Sequence, residues 1–305
     1  MKARKINMAA SVRQRLLNRA REQREDFGLL LTRFGTERLL YRLGESEYGG
    51  VFILKGAMLF PLWGMDEHRP TRDADLLGFG ESTEAHLVEV FRDVCRVEVE
   101  DDGLRFDPQS VQAGAIREEM EYGGIRVRLT ATLDGARIPL QVDVGFGDAV
   151  SPAPEEVEYP TLLDLPAPHL RVYPRETVVA EKFQAMIHLG MANSRMKDFY
   201  DVWVLSRLFE FDGTTLARAV EHTFERRRTA VPTEVPLPLT TEFYGDPGKA
   251  VVWRAFLGRN GLEGEGATFE TVAGTIEGFL MPVCLAIHSG GRFEATWAMG
   301  GPWRW

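Results

Sequence analysis

The segment "GIRVRLTATLDG", continuing past Ala136 as "RIPLQVDVGFGD", constrains this chain more than any other. Apolar and polar residues alternate along it, a pattern that suits a strand with one buried face and does not suit a helix. Asp134-Gly135 between the two halves is the dipeptide of a tight hairpin turn. The second strand carries Asp143 inside the apolar run Leu140, Val142, Val144 and Phe146. A carboxylate among four apolar side chains is costly to bury without a partner, so Asp143 is expected to have a task.

Upstream, "GGVFILKGAMLFPLWGM" predicts a short buried strand, a turn at Gly56 and a helix kept short by Pro61 and Gly64. "TRDADLLGF" predicts a second strand, on which Asp73 and Asp75 point to one face because side chains alternate. Helical spacing marks residues 10–43 and about 83–97. Six prolines between 151 and 174 signal a change of domain, and the pattern beyond is helical at about 176–190, 196–211, 214–226, 247–257 and 268–288. The chain therefore reads as α/β over 1–150 and as a linker plus helical domain over 151–305. A length of 305 residues supports two domains.

Net charge is −9, yet residues 1–42 hold eleven Lys/Arg against four Asp/Glu, and residues 81–121 hold four against twelve. Such a chain can meet a polyanion on one face while its average repels one. Two cysteines, Cys95 and Cys284, lack disulfide or metal spacing and suit a reducing cytoplasm. "IEGFLMPVCLAI" is short and holds Glu277 and Pro282, so no membrane span is expected there. The six histidines show no zinc spacing, and no Gly-x-Ser-x-Gly elbow supports a serine hydrolase.

Asp73, Asp75 and Asp143, on neighbouring strands, can gather at one edge and supply the oxygen ligands that a divalent metal takes. Gly56-Ala57 would let a phosphate approach the backbone at a helix start, and Lys55 either reaches that phosphate or caps the strand. Lys182, beside the apolar stripe of "ETVVAEKFQAMIHLG", either snorkels to water or serves as counter-charge to a triphosphate. Asp198 and Asp201 share a helix face, Asp198 near the helix start and Asp201 placed to orient Lys182 or Arg195. Thr71 is expected on the strand face of Asp73, where a phosphoryl group would silence the site.

In this order, "LKGAMLF", "RPTRDADL", "LQVDVGFGD", "EKFQAMI" and "RMKDFYDVWVL", with "WRAFLGRNGL", "GFLMP" and "GGPW" in the tail, resemble the AbiEii-type nucleotidyltransferase toxins, the group that includes the MenT toxins. The resemblance covers nearly the whole chain. It implies an α/β (α+β) fold, a polymerase-β-like nucleotidyltransferase domain followed by a mostly helical C-terminal domain, in a bilobed molecule. It also implies Mg²⁺ or Mn²⁺, an NTP substrate, an RNA acceptor such as the 3′ end of tRNA, and a cognate antitoxin. Carried over by position, Asp73, Asp75 and Asp143 stand at the metal-binding acids. Lys55, Gly56, Ala57, Thr71, Lys182, Asp198 and Asp201 stand at nucleotide-binding positions, with Ala57 in place of the usual second glycine. The basic N-terminal helices, with Arg69, Arg72 and Arg195, would steer RNA. A kinase-like phosphotransferase or a protein-modifying enzyme on the same fold is the alternative, with a metal-dependent glycosyltransferase or a binding module behind it.

Overall fold

The computed structural model describes residues 7–65, 71–116, 123–262 and 267–305. The chain separates into two compact units, one comprising residues 1–147 and 155–172, the other residues 148–154 and 173–305.

The first unit opens with helices α1 (Met8–Gln23) and α2 (Phe27–Glu45). The 10–43 periodicity is thus interrupted: α1 ends on Arg24 in the left-handed region, and Asp26 restarts the chain by accepting the Leu29 N–H. Strands β1 (Phe52–Lys55) and β2 (Asp73–Gly78), helix α3 (Glu84–Arg96), and strands β3 (Leu104–Ala115), β4 (Ile125–Leu133) and β5 (Ala136–Phe146) follow. Strands β6 (Glu155–Glu158) and β7 (His169–Val172) complete a mixed seven-stranded sheet in the order β3-β4-β5-β2-β1-β7-β6. The β4–β5 hairpin turns at Asp134-Gly135, both with positive φ.

One sheet face is dry. Ile125, Val127, Leu129, Ala131 and Leu133 of β4 and Ile138, Leu140, Val142 and Val144 of β5 are buried. Helix α2 lies against them closely enough that a Cβ on Gly35 would touch Leu140 and Ile138. The alternate residues, from Arg126 to Thr132 and from Arg137 to Asp143, stay partly or fully exposed. Pro139 sits where β5 extends beyond the start of β2. The paired Thr130 turns its N–H away, to Ser110 Oγ, so the N–H that Pro139 lacks would have faced that open edge.

Three strands of this sheet escape the sequence reading. Edge strand β3 contains Pro108 and a register break between Asp107 and Gln112, which erase the period-two signal. Strands β6 and β7 are four residues each and lie in the proline-rich stretch read as linker.

Much of the basic excess of the N-terminal helices is spent internally. Arg38 and Arg42, both buried, bind Asp102 at 3.0 and 2.7 Å, and Arg33 pairs with Glu25. Arg19 donates to the Leu162 carbonyl at 2.7 Å. Burial would raise the Asp102 carboxyl, but the two guanidiniums outweigh it and hold the group below the ordinary carboxylate range.

The second unit is mainly helical, with α4 (Arg175–Leu189), α5 (Met196–Leu208), β8 (Phe211–Asp212), α6 (Gly213–Arg226), α7 (Thr241–Tyr244), α8 (Pro247–Asn260), α9 (Phe269–His288), β9 (Thr296–Trp297) and β10 (Trp303–Arg304). Trp253 stacks on Phe269 at 4.8 Å, and Phe279 packs on Trp297 at 4.8 Å. Helix α9 is long and apolar enough to cross a membrane by length and composition. It also supplies Val272, Ala273, Ile276, Phe279, Leu280, Val283 and Cys284 to the interior, and packs on α5 and α6, which fits a core helix.

Glu37 supplies a test of this interior. It is 2% exposed and accepts the Leu162 N–H at 2.7 Å, and burial lifts its carboxyl from 4.5 to about 7 against the opposing pull of Arg38 and Arg19. The folded chain therefore holds a proton that the unfolded chain releases, and stability falls as pH rises from about 4.5 through about 7. Glu37→Gln should remove that decline and exceed wild type by about 3 kcal/mol at pH 8 while matching it near pH 4. Urea unfolding at the two pH values checks this, and parallel curves would refute it.

Candidate active site

The polar sheet face carries the site. Strand β2 runs parallel to β5, with Asp75 opposite Asp143 and Asp73 opposite Gln141. Paired residues share a face, so the three aspartates stand on the side away from the dry core. The same row extends outward on both flanks: Lys55 of β1 lies opposite Asp75, and Arg126 of β4 lies opposite Asp143. Across four strands the order is cation, carboxylate, carboxylate, cation.

Asp143 is not the solitary carboxylate that its apolar neighbours suggest, because those neighbours face the other side of the sheet. Arg126 grips it in a two-pronged pair, Nε to Oδ1 at 2.9 Å and Nη2 to Oδ2 at 2.7 Å. The acid expected third in the metal set is therefore held by an arginine of the next strand. Both of its oxygens are engaged, and among the described residues no three His, Cys, Asp or Glu side chains converge as a metal site. Asp73 and Asp75 fit a magnesium-type ion better, since that ion commonly takes one or two carboxylates and leaves its other positions to water and substrate phosphates. The sequence reading missed Arg126. A signal existed, because Arg126 and Asp143 are equidistant from the Asp134-Gly135 turn.

Gly56 follows β1 with φ of +74°, and a Cβ there would overlap the Asp75 carboxylate. The glycine is required by the close approach of Asp75. The helix expected after it is a pair of 3-10 turns, Gly56–Leu59 and Pro61–Trp63. Four residues align too few peptide dipoles to act as a helix N-terminus for phosphate. Ala57 is buried, and its carbonyl accepts the Phe60 N–H at 3.3 Å. Thr71 and Arg72 precede β2, so the expected placement of Thr71 on the strand face does not hold. Its hydroxyl contacts the Asp73 carbonyl at 3.3 Å. Arg69 lies outside the described residues.

The second unit holds a second cluster. Lys182 of α4 bonds Asp198 Oδ1 at 2.9 Å and Asp201 Oδ2 at 2.8 Å, and Arg195 Nε reaches Asp198 Oδ2 at 2.7 Å. Burial favours a neutral Asp198, yet Lys182 and Arg195 outweigh it and lower its pKa. Asp198 and Asp201 are both wholly buried. Their oxygens are turned to Lys182 and Arg195, and they fix where the Lys182 ammonium sits. The Lys182 side chain is 12% exposed and that of Arg195 35%.

Comparison with known proteins gives one family match, described as "Nucleotidyl transferase AbiEii toxin, Type IV TA system", over residues 38–274. Two solved structures from Helicobacter pylori align at 13% identity. One is JHP933, with a TM-score of 0.48 over 86% of this chain and 92% of that one. The other is described as a candidate nucleotidyltransferase, with a TM-score of 0.47 over 86% of this chain and 95% of that one. No curated protein matches the chain.

Gly56→Ala should destabilise the protein by about 3 kcal/mol, combining left-handed backbone strain with the overlap on Asp75. In an Asp75→Gly background the cost should fall to about 1 kcal/mol, since only the backbone term remains. Additive costs in a denaturant double-mutant cycle would show that the Asp75 approach is unimportant.

Proposed function

The chain belongs to the AbiEii nucleotidyltransferase toxins of type IV toxin–antitoxin systems, and from that premise we propose that it transfers a nucleoside monophosphate from an NTP to the 3′ end of tRNA, blocking translation and arresting growth. The observation that carries the reading is the row Lys55, Asp75, Asp143, Arg126, with Asp73 beside it on the same face. It sets two metal-competent acids next to a third that is held apart by its own arginine.

In this reading Asp73 and Asp75 would hold Mg²⁺ or Mn²⁺, which when bound neutralises phosphate charge and makes the α-phosphorus a better electrophile. Lys55, with Gly56 and Ala57 next to it in the chain and Thr71 two residues before Asp73, lies where the nucleotide phosphates would rest. Lys182, held by Asp198 and Asp201, stands at the position where the family resemblance implies a lysine for the nucleotide. Arg126 orients Asp143, which accepts the proton of the acceptor hydroxyl. The freed oxygen bonds to the α-phosphorus in line with the departing bridge oxygen, and pyrophosphate leaves with the bonding pair. The residue 1–150 region carries this chemistry, the helical region supplies Lys182, and the toxin acts in the cytoplasm. A cognate antitoxin is the partner that the family implies.

The test uses NTPs labelled at the α- or the γ-phosphate, with tRNA and Mg²⁺. Label from the α position should appear on RNA, and Asp73→Ala or Asp75→Ala should cut the rate at least ~10³-fold. Lys182→Ala should raise the KM for NTP. Label from the γ position on an acceptor would indicate a phosphotransferase, α label on protein alone would indicate a protein-modifying enzyme, and either would overturn the RNA reading.

A further inference from the structure

We propose that a groove leading away from Asp73, over the sheet edge where β5 runs on beyond β2, is the track along which the acceptor RNA strand lies; this rests on the transfer reading and names where its second substrate binds. The groove measures about 750 Å³ and is bounded by the N-terminal half of α2, the residues before β2, and strands β3 to β5. Register places Gln112, Arg128, Gln141 and Asp73 in one row across four strands. That row is two residues along the strands from the row of Arg126, Asp143 and Asp75, a step of about 7 Å. Arg137, two further steps along β5 on the same face, and Arg72, next to Asp73 in the chain, also line it.

Three arginines converge there with little to neutralise them. Among the described residues Arg72, Arg128 and Arg137 form no ion pair, whereas Arg33, Arg38, Arg42 and Arg126 all do. Arg137 makes one long contact, 3.4 Å to the Thr130 hydroxyl. Among the described residues the acids lining the groove are Asp73 itself and Asp26, whose carboxylate caps α2 by accepting the Leu29 N–H. Uncompensated guanidiniums interleaved with the amides of Gln112 and Gln141 and the hydroxyls of Ser110 and Thr130 match phosphates alternating with ribose hydroxyls.

Two features favour an RNA strand over an acidic protein segment. The groove runs to an aspartate of the reaction centre, and a polymer whose terminal hydroxyl reacts there needs a surface leading up to it. Among the described residues its lining contains no aromatic ring on which bases could stack, so recognition there falls on the backbone and tolerates sequence. The RNA-binding face is thereby shifted from the N-terminal helices, where several arginines are internally consumed, to the sheet.

The experiment measures tRNA binding to the full-length protein by fluorescence anisotropy without NTP, across a salt series, beside α-label transfer. Arg128→Gln with Arg137→Gln should weaken tRNA binding at least tenfold. It should also flatten the log Kd against log salt slope by about 1.4, since each single-strand phosphate contact contributes about 0.7. The thermal midpoint and the KM for NTP should stay put. Unchanged affinity and slope would overturn the groove even if the wild type labels RNA. Weakened tRNA binding without label transfer in the wild type would sustain the groove and refute the transfer reading. If the variant binds tRNA normally but loses a poly-glutamate peptide, the groove belongs to an acidic protein partner and the proposal fails.

Discussion

Everything in the candidate site depends on the parallel pairing of β2 with β5, which sets Asp75 directly opposite Asp143. Two carboxylates about 5 Å apart repel by about 3 kcal/mol at an effective dielectric of 20. The sheet answers this laterally, with Lys55 on one side of the pair and Arg126 on the other. The row is formally neutral, and its two acids are not equivalent. Asp143 is locked by a guanidinium at hydrogen-bond distance on both oxygens, while Asp75 stands over a glycine that no side-chain-bearing residue could replace without moving it. A parallel pair needs a crossover, and the chain uses it to lay α3, β3 and β4 in place. Arg126 is thus delivered by the same excursion that makes the pairing possible.

Near the core, charge follows one rule: a buried cation has a named carboxylate. Arg38 and Arg42 surround Asp102 in the first unit, and Lys182 and Arg195 surround Asp198 in the second. Removing one member of such a buried set strands the others, which costs about 3–5 kcal/mol in typical cases. These clusters fix side-chain direction as well as stability. Lys182 keeps a small exposed fraction because two buried aspartates hold the rest of it.

The period-two hairpin and the shared face of Asp73 and Asp75 were legible in the sequence because one sheet face is dry and the other open, and alternation reports that difference directly. Edge strand β3 was hidden by Pro108 and its register break, and β6 and β7 were too short and too close to prolines to be seen. Asp143 was singled out for the wrong reason. Its apolar neighbours point to the opposite face, and its partner comes from the adjacent strand, a relation that periodicity within one strand does not contain. Charge counting along residues 1–42 placed a polyanion surface on helices whose arginines are partly interior, because composition does not distinguish a buried guanidinium from an exposed one.

The division of labour along the row is tested most directly by equilibrium binding of Mn²⁺ with a non-hydrolysable NTP analogue, followed by electron paramagnetic resonance. Wild type and Asp143→Asn should both take up the metal-nucleotide, because in the proposed reaction Asp143 serves the acceptor and not the metal. Asp75→Asn should lose it. Loss of binding in Asp143→Asn as severe as in Asp75→Asn would contradict the assignment and return Asp143 to the metal.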